Sequence, residues 1–117
     1  MPDADKRVPA IFFQTEAGQE PVRTWLLSLD KAARLLIGTD IKTVEYGWPL
    51  GMPLCRPVGK GIWETRSNLT GSRIARVLFC LHKRHMVLLH GFIKKSRQLP
   101  KTDFDLACQR KSQLEER

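Results

Sequence analysis

Three runs of apolar and β-branched residues, separated by short polar linkers, constrain the fold of this chain more than any other feature. They cover residues 62–66, 73–81 and 86–94. Because the linkers at 67–72 and 82–85 are short and polar, consecutive strands are expected to be hairpin neighbours. The sequence therefore predicts an antiparallel three-stranded meander in the second half of the chain.

The first half of the chain is predicted to be mainly helical. Residues 8–13 are apolar and rich in strand formers, so they predict one short strand. Apolar residues then recur at helical spacing over 22–29, with Pro21 just inside the helix start, and over 33–44, after Asp30, which can cap a helix. Two helices with almost no loop between them predict a helical hairpin.

A segment rich in proline and glycine separates the helical half from the strands, and a final helix follows them. Residues 47–60 contain too much proline and glycine for regular structure, so we expect an ordered loop or a crossover there. Thr102 can cap a last helix that runs to about residue 113. The predicted order is βααβββα, a single α+β domain over residues 1–117. An N-terminal helical hairpin and a C-terminal helix accompany its antiparallel β-sheet.

Half of the cations of this chain lie in one segment, residues 60–101. The whole chain has a formal net charge of +8, whereas the remainder outside this segment is nearly balanced. The segment contains one acid, Glu64, and ten basic residues: Lys60, Arg66, Arg73, Arg76, Lys83, Arg84, Lys94, Lys95, Arg97 and Lys101. Since predicted strands carry many of them, these cations should form one small, rigid surface, for which a polyanion is the natural partner.

Strand alternation decides which of these cations can act together, because alternate residues face opposite sides of a sheet. Arg76 shares a face with Leu78 and Cys80, deep within its strand, where an arginine needs an anion. Arg66 lies on the same side of its strand as Glu64. One interpretation is that Glu64 and Arg76 pair only to stabilise the sheet. The other is that Glu64 also holds Arg76 in place for a phosphate.

The last predicted strand ends in a histidine and several cations. His90 and Lys94 share one face, Lys95 lies on the other, and Arg97 follows. His90 is the only histidine outside a predicted turn, so it is the candidate acid or base near neutral pH, and a hydrogen-bonded core histidine is the equal alternative. The lysines are either a solvated strand end or part of a phosphate site.

Several kinds of chemistry are not indicated by the sequence. Cys55, Cys80 and Cys108 are odd in number and widely spaced, which predicts neither disulfides nor a zinc site and fits a reducing cytoplasm. His82 and His85 lie in a predicted turn without a third ligand, so we expect no metal site. We find no cofactor motif, signal peptide or apolar run of membrane length, and expect a cytoplasmic protein without a cofactor.

The basic segment also lacks the paired carboxylates that divalent metals require. If the protein is a nuclease, it is therefore expected to work without metal. A cationic pocket can do so with RNA, because the 2′-hydroxyl attacks the adjacent phosphorus while Arg and Lys stabilise the charge that develops on the phosphate.

Four motifs follow one another between residues 61 and 111: W-E-T-R, R-V-L-F, L-L-H-G-F-I-K-K and P-K-T-D-F-D-L-A. In this order they resemble the signature of HigB-like toxins of the RelE/ParE superfamily. The resemblance covers about residues 8–111. It implies a microbial RNase-like sheet with helices on one side, and a metal-independent mRNA endonuclease that acts in the ribosomal A site. It also implies a cognate antitoxin, HigA-like with a helix-turn-helix, as the partner beside the ribosome and mRNA, and no membrane.

The resemblance further assigns roles to individual residues. Arg76 corresponds to the family's central catalytic arginine and Arg66 to the basic residue of the preceding strand. Lys94 and Lys95 correspond to the basic strand end that supports phosphate binding. Together with His90, the predicted catalytic residues are Arg66, Arg76 and Lys94. The predicted RNA-contacting and phosphate-contacting residues are Arg73, Lys83, Arg84, Lys95 and Arg97.

Two other functions remain open at this point. Many relatives have tyrosine after R-V-L, where this chain has Phe79, so the resemblance leaves His90 or a lysine, and not a tyrosine, as the general acid. The superfamily also contains ParE-like toxins that inhibit DNA gyrase without nuclease activity, and the fold alone does not choose between the two. A non-toxic, basic RNA-binding module would show the same concentration of charge.

Overall fold

A computed structural model describes residues 5–94 and 98–117 of the chain. The elements are β1 (Ala10–Phe12), α1 (Pro21–Leu27), α2 (Lys31–Gly47), β2 (Cys55–Gly59), β3 (Ile62–Asn68), a short 3-10 helix (Thr70–Ser72), β4 (Ile74–His82), β5 (His85–Lys94) and α3 (Lys101–Glu115). The five strands form one sheet in the order β1-β5-β4-β3-β2. The predicted α+β class is confirmed, with an N-terminal pair of helices and a C-terminal helix.

The sheet differs from the predicted one in two respects. First, Cys55–Gly59 forms an additional strand inside the segment predicted to be a loop, and it pairs antiparallel with β3. Pro57 is compatible with this strand because β2 lies at the sheet edge, where a missing N–H group is tolerated. Second, β1 pairs with β5 in parallel, so the sheet is mixed although β2 to β5 are antiparallel.

The helices cover both faces of the sheet, which corrects the one-sided arrangement that the resemblance implied. On one face, Val22 of α1 and Ile37 of α2 pack in a cluster with Val77 of β4. On the other, which we call the α3 face, Ala107 of α3 packs with Leu78 and with neighbouring residues of β3 and β5. The reason is that both faces of β4 are apolar along much of its length, so each must be covered. Within the described residues, every helix falls short of the length or the apolar character that a membrane span requires.

A β-bulge in β5 sets the direction of the side chains near the strand end. Leu78 pairs with His90 and Phe79 pairs with Leu88, so Leu89 is the extra residue. His90 therefore lies on the α3 face together with Leu78. Because the bulge precedes His90, alternation continues undisturbed to Lys94, which is on the same face.

At Gly91, the backbone of β5 lies directly against the Trp25 side chain of α1. A Cβ atom at this position would overlap the indole ring of Trp25, which packs against the core. We therefore expect Gly91→Ala to lower the free energy of unfolding by about 1–3 kcal/mol, as overpacking does in other cores. Urea denaturation of the purified protein measures the effect.

The control for this substitution is Gly38→Ala in α2, where an added Cβ meets no atom within 4 Å. Alanine should stabilise the helix at that position by about 0.5–1 kcal/mol. If Gly91→Ala were as stable as the wild type, the Trp25 ring would not fill the space above residue 91.

Candidate functional site

A group of charged residues lies on the α3 face beside its apolar cluster. Arg56 of β2 is the cross-strand neighbour of Glu64 in β3. Arg66 of β3 is the neighbour of Arg76 in β4. Alternation places all four side chains on the same face, because Arg76 shares it with Leu78 and Glu64 is paired with Leu78. We call Arg56, Glu64, Arg66 and Arg76 the arginine cluster.

Glu64 lies between two arginines of this cluster. Its Oε1 accepts a hydrogen bond from Nε of Arg56 at 2.9 Å, and its Oε2 lies 3.7 Å from Nη1 of Arg76. The side chains of Glu64 and Arg76 are 0% exposed, whereas that of Arg56 is 29% exposed. The ion pair between Glu64 and Arg76 that the sequence suggested is therefore present, and Arg56 is a second arginine on the same carboxylate.

Positive charge exceeds negative charge within the arginine cluster, since it contains three guanidinium groups and one carboxylate. Burial lowers the pKa of Arg76; the charge of Glu64 opposes this shift, and the charges of Arg66 and Arg56 add to it. The Nε atom of Arg66 is buried and has no hydrogen-bond partner within the described residues. An anion bound at the surface of the cluster would offset the repulsion among the arginines.

Arg66 is half-buried and borders a cleft between α2 and the end of β3. The cleft has a volume of about 440 Å³. Its lining residues are Leu36, Asp40, Pro53, Leu54, Arg66 and Asn68. The end of β3 that carries Arg66 is therefore open to solvent.

The chain matches the model of one protein family. A model of the phage-derived Gp49-like proteins matches residues 24–112, which contain the whole arginine cluster. The chain belongs to this family. Gp49-like proteins are associated with the toxins of toxin–antitoxin systems, and the family therefore suggests an antitoxin as partner. A search of the curated proteins finds no match to the chain.

In this Gp49-like chain, His90 and Lys94 lie on the α3 face of β5. His90 Nε2 is 2.6 Å from Oδ1 of Asp103 in the first turn of α3, and the imidazole stacks on Phe92 with a centroid distance of 5.6 Å. Both members of the pair are largely buried, with 17% and 18% of their side chains exposed. His90 is therefore a hydrogen-bonded histidine that a carboxylate orients, an arrangement that suits either a structural or a proton-transfer role. Lys94 is exposed at the strand end.

Other predicted RNA-contacting residues flank the strands. Arg73 precedes β4, and its Nε donates a hydrogen bond to the Thr70 carbonyl oxygen at 3.0 Å, so it belongs to the connection between β3 and β4. Lys95 and Arg97 were also predicted to contact phosphate, and they lie outside the described residues. Their contact with phosphate therefore stays a prediction.

The turn between β4 and β5 presents two cations at the far end of the hairpin. Lys83 and Arg84 are exposed and have φ angles of 49° and 68°. Since a strand rises by about 3.4 Å per residue, they lie roughly 24 Å along β4 from Arg76. They are separate from the arginine cluster and form a second basic surface.

Two positioned arginines were not predicted from the sequence. Arg56 was missed because it lies in the proline-rich and glycine-rich segment, where Pro57 interrupts any strand pattern; the run C-R-P-V, four residues before W-E-T-R, gives only a weak strand signal. Arg110 of α3 donates a hydrogen bond from Nη1 to the carbonyl oxygen of Leu89, at 2.7 Å. It thereby ties α3 to the bulge that orients His90, and burial lowers its pKa.

Neither thiols nor metal ligands form a site in the described part of the chain. Burial raises the pKa of Cys55 and of Cys80 to about 11, so both thiols are protonated at neutral pH. Cys108 is half-buried, and all three cysteines are free thiols. Across residues 5–94 and 98–117, no three His, Cys, Asp or Glu side chains converge to hold a metal ion.

Proposed function

We propose that this protein is the toxin of a type II toxin–antitoxin system and acts as a ribosome-dependent, metal-independent mRNA endonuclease. The observation that carries the proposal is the arginine cluster, in which three arginines and a single buried acid lie on one face of the sheet and two of the arginines contact its carboxylate. Such a surface has excess positive charge at fixed positions, which is what a phosphate that gains charge during reaction requires.

The proposed reaction cleaves the RNA backbone with its own hydroxyl group. The 2′-oxygen attacks the adjacent phosphorus, the bond from phosphorus to the 5′-oxygen of the next nucleotide breaks, and a 2′,3′-cyclic phosphate and a 5′-hydroxyl result. Arg66 and the charge of Arg76 stabilise the pentavalent phosphate, and Lys94 lies exposed on the same face. His90, oriented by Asp103, is the group proposed to accept the proton of the 2′-hydroxyl and to return it to the departing 5′-oxygen.

The proposed cellular partners follow from the order of the motifs and from the distribution of charge. The motif order supports a HigB-like toxin, whose antitoxin would be HigA-like and would cover the basic surface or prevent entry into the ribosome. In this proposal Lys83 and Arg84, which are exposed on a separate turn, contact ribosomal RNA while the arginine cluster holds the mRNA. Two separate basic surfaces suit an enzyme that must bind ribosomal RNA and mRNA at the same time.

Inducible expression of the chain without its neighbouring gene tests the proposal. We expect rapid growth arrest and, by primer extension, new mRNA 5′ ends within codons. The new ends should carry 5′-hydroxyl groups and should therefore require phosphorylation before ligation. Intact transcripts together with DNA damage would instead indicate a ParE-like gyrase inhibitor. Normal growth together with salt-dependent RNA binding would indicate a binding module.

A further inference from the structure

The arginine cluster reaches solvent on the β2 side through Arg56. The side chains of Glu64 and Arg76 are fully buried, so neither touches a ligand at the surface in this conformation. Arg56 is partly exposed and lies on the edge strand of the sheet. Of the two arginines seen to contact Glu64 among the described residues, Arg56 is therefore the one accessible to a macromolecule.

Glu64 gives Arg56 a defined orientation. The carboxylate accepts the Nε–H group of Arg56 at 2.9 Å, and a bond at Nε fixes the plane of the guanidinium. Glu64 is itself held by burial and by the neighbouring Arg76, 3.7 Å away. An arginine oriented in this way loses less side-chain entropy when it binds a ligand than a freely rotating surface arginine does.

The charge of the cluster identifies the kind of ligand that Arg56 would take. The arginine cluster contains three guanidinium groups and one carboxylate, and a phosphodiester supplies the missing negative charge in a geometry that guanidinium groups recognise. We propose that Arg56 binds a phosphate of the RNA substrate and that Glu64 is the positioning residue that holds it there. This inference rests on the proposed function, because it takes RNA as the substrate.

The alternative is that Arg56 forms only a salt bridge at the sheet edge. The two roles differ in how RNA binding responds to salt. Each phosphate contact to a single strand contributes about 0.7 to the slope of log K against log salt concentration, whereas a salt bridge within the protein contributes nothing to it. The slope therefore separates binding from stabilisation.

The test measures fluorescence anisotropy of a labelled single-stranded RNA oligonucleotide with the purified protein over a range of salt concentrations. Arg56→Gln should reduce the magnitude of the slope by about 0.7. Arg56→Lys keeps the charge and should keep the slope, but it loses the bidentate geometry, so affinity should fall at every salt concentration. Arg23→Gln is the matched control, because Arg23 is an exposed arginine on α1, and it should bind as the wild type does.

A folded Arg56→Gln variant with the wild-type slope would overturn the inference, and so would an Arg56→Lys variant with unchanged affinity. Circular dichroism establishes that each variant is folded. A different result would show that the proposed function is wrong and the inference right. In that case the wild type would leave mRNA intact, and Arg56→Gln would still show the smaller salt-dependence slope. If the wild type cleaves mRNA, and Arg56→Gln cleaves and binds RNA as well as the wild type does, then the proposed function stands and only the inference about Arg56 is wrong.

Discussion

Arg76→Ala is expected to lower the free energy of unfolding by about 3–5 kcal/mol, because it leaves the buried carboxylate of Glu64 without one of its two cations. Arg56 still donates to Glu64 in this variant, which places the expected loss toward the lower end of the range. The substitution also removes a large, fully buried side chain and leaves a cavity. Urea denaturation, with the midpoint and the slope fitted separately, measures the change.

A double variant, Glu64→Leu with Arg76→Met, is the matched control for this prediction. It removes both buried charges and replaces them with apolar side chains, an exchange that is often neutral for stability. It should therefore regain most of the loss seen in Arg76→Ala. If Arg76→Ala were as stable as the wild type, the pair would not be buried as described, and if both variants were equally unstable, lost packing and not the unpaired charge would be the cause.

The double variant also separates stability from function. Loss of growth arrest in Arg76→Ala has two explanations, a missing catalytic charge and a destabilised fold. The double variant should fold and yet be inactive, because it lacks the charge of Arg76 and the carboxylate that positions Arg56. If it folds and still arrests growth, the arginine cluster is not the site of the activity.

Much of this arrangement follows from local sequence pattern. Short polar linkers fix β3, β4 and β5 as hairpin neighbours, and strict alternation then places Arg66 and Arg76 on one face. Alternation from His90 to Lys94 is equally local, and the bulge at Leu89 does not alter it. These features need only the period of the strand and the length of the turns.

The features that were not predicted depend on contacts between distant segments. Strand β2 contains Pro57, which disfavours a strand in the sequence pattern. Its pairing with β3 is what identifies it as a strand. The complete burial of Arg76 results from packing on the α3 face together with Glu64 and Arg56, which no single segment encodes. Asp103 meets His90 only because α3 packs on this face and not on the other.

Arg66→Ala is expected to reduce mRNA cleavage by a factor on the order of 100 to 1000, the usual effect of removing one group that stabilises the transition state. Arg66 differs from Arg76 in being half-buried and in bordering an open cleft, so it can contact substrate directly. Its Nε atom makes no hydrogen bond with any described residue, so its removal breaks no observed bond at that atom. We therefore expect little loss of stability, within about 1 kcal/mol.

Cleavage in a translation extract programmed with one mRNA, followed by primer extension, measures the rate, and urea denaturation measures the stability of the same preparation. Arg23→Ala, which removes an exposed arginine from α1, controls for the change in net charge and should cleave at the wild-type rate. A stable Arg66→Ala variant that cleaves as fast as the wild type would remove Arg66 from the mechanism. The phosphate would then have to be held from the β2 side, by Arg56, and the two arginines would differ in role although both lie in one cluster.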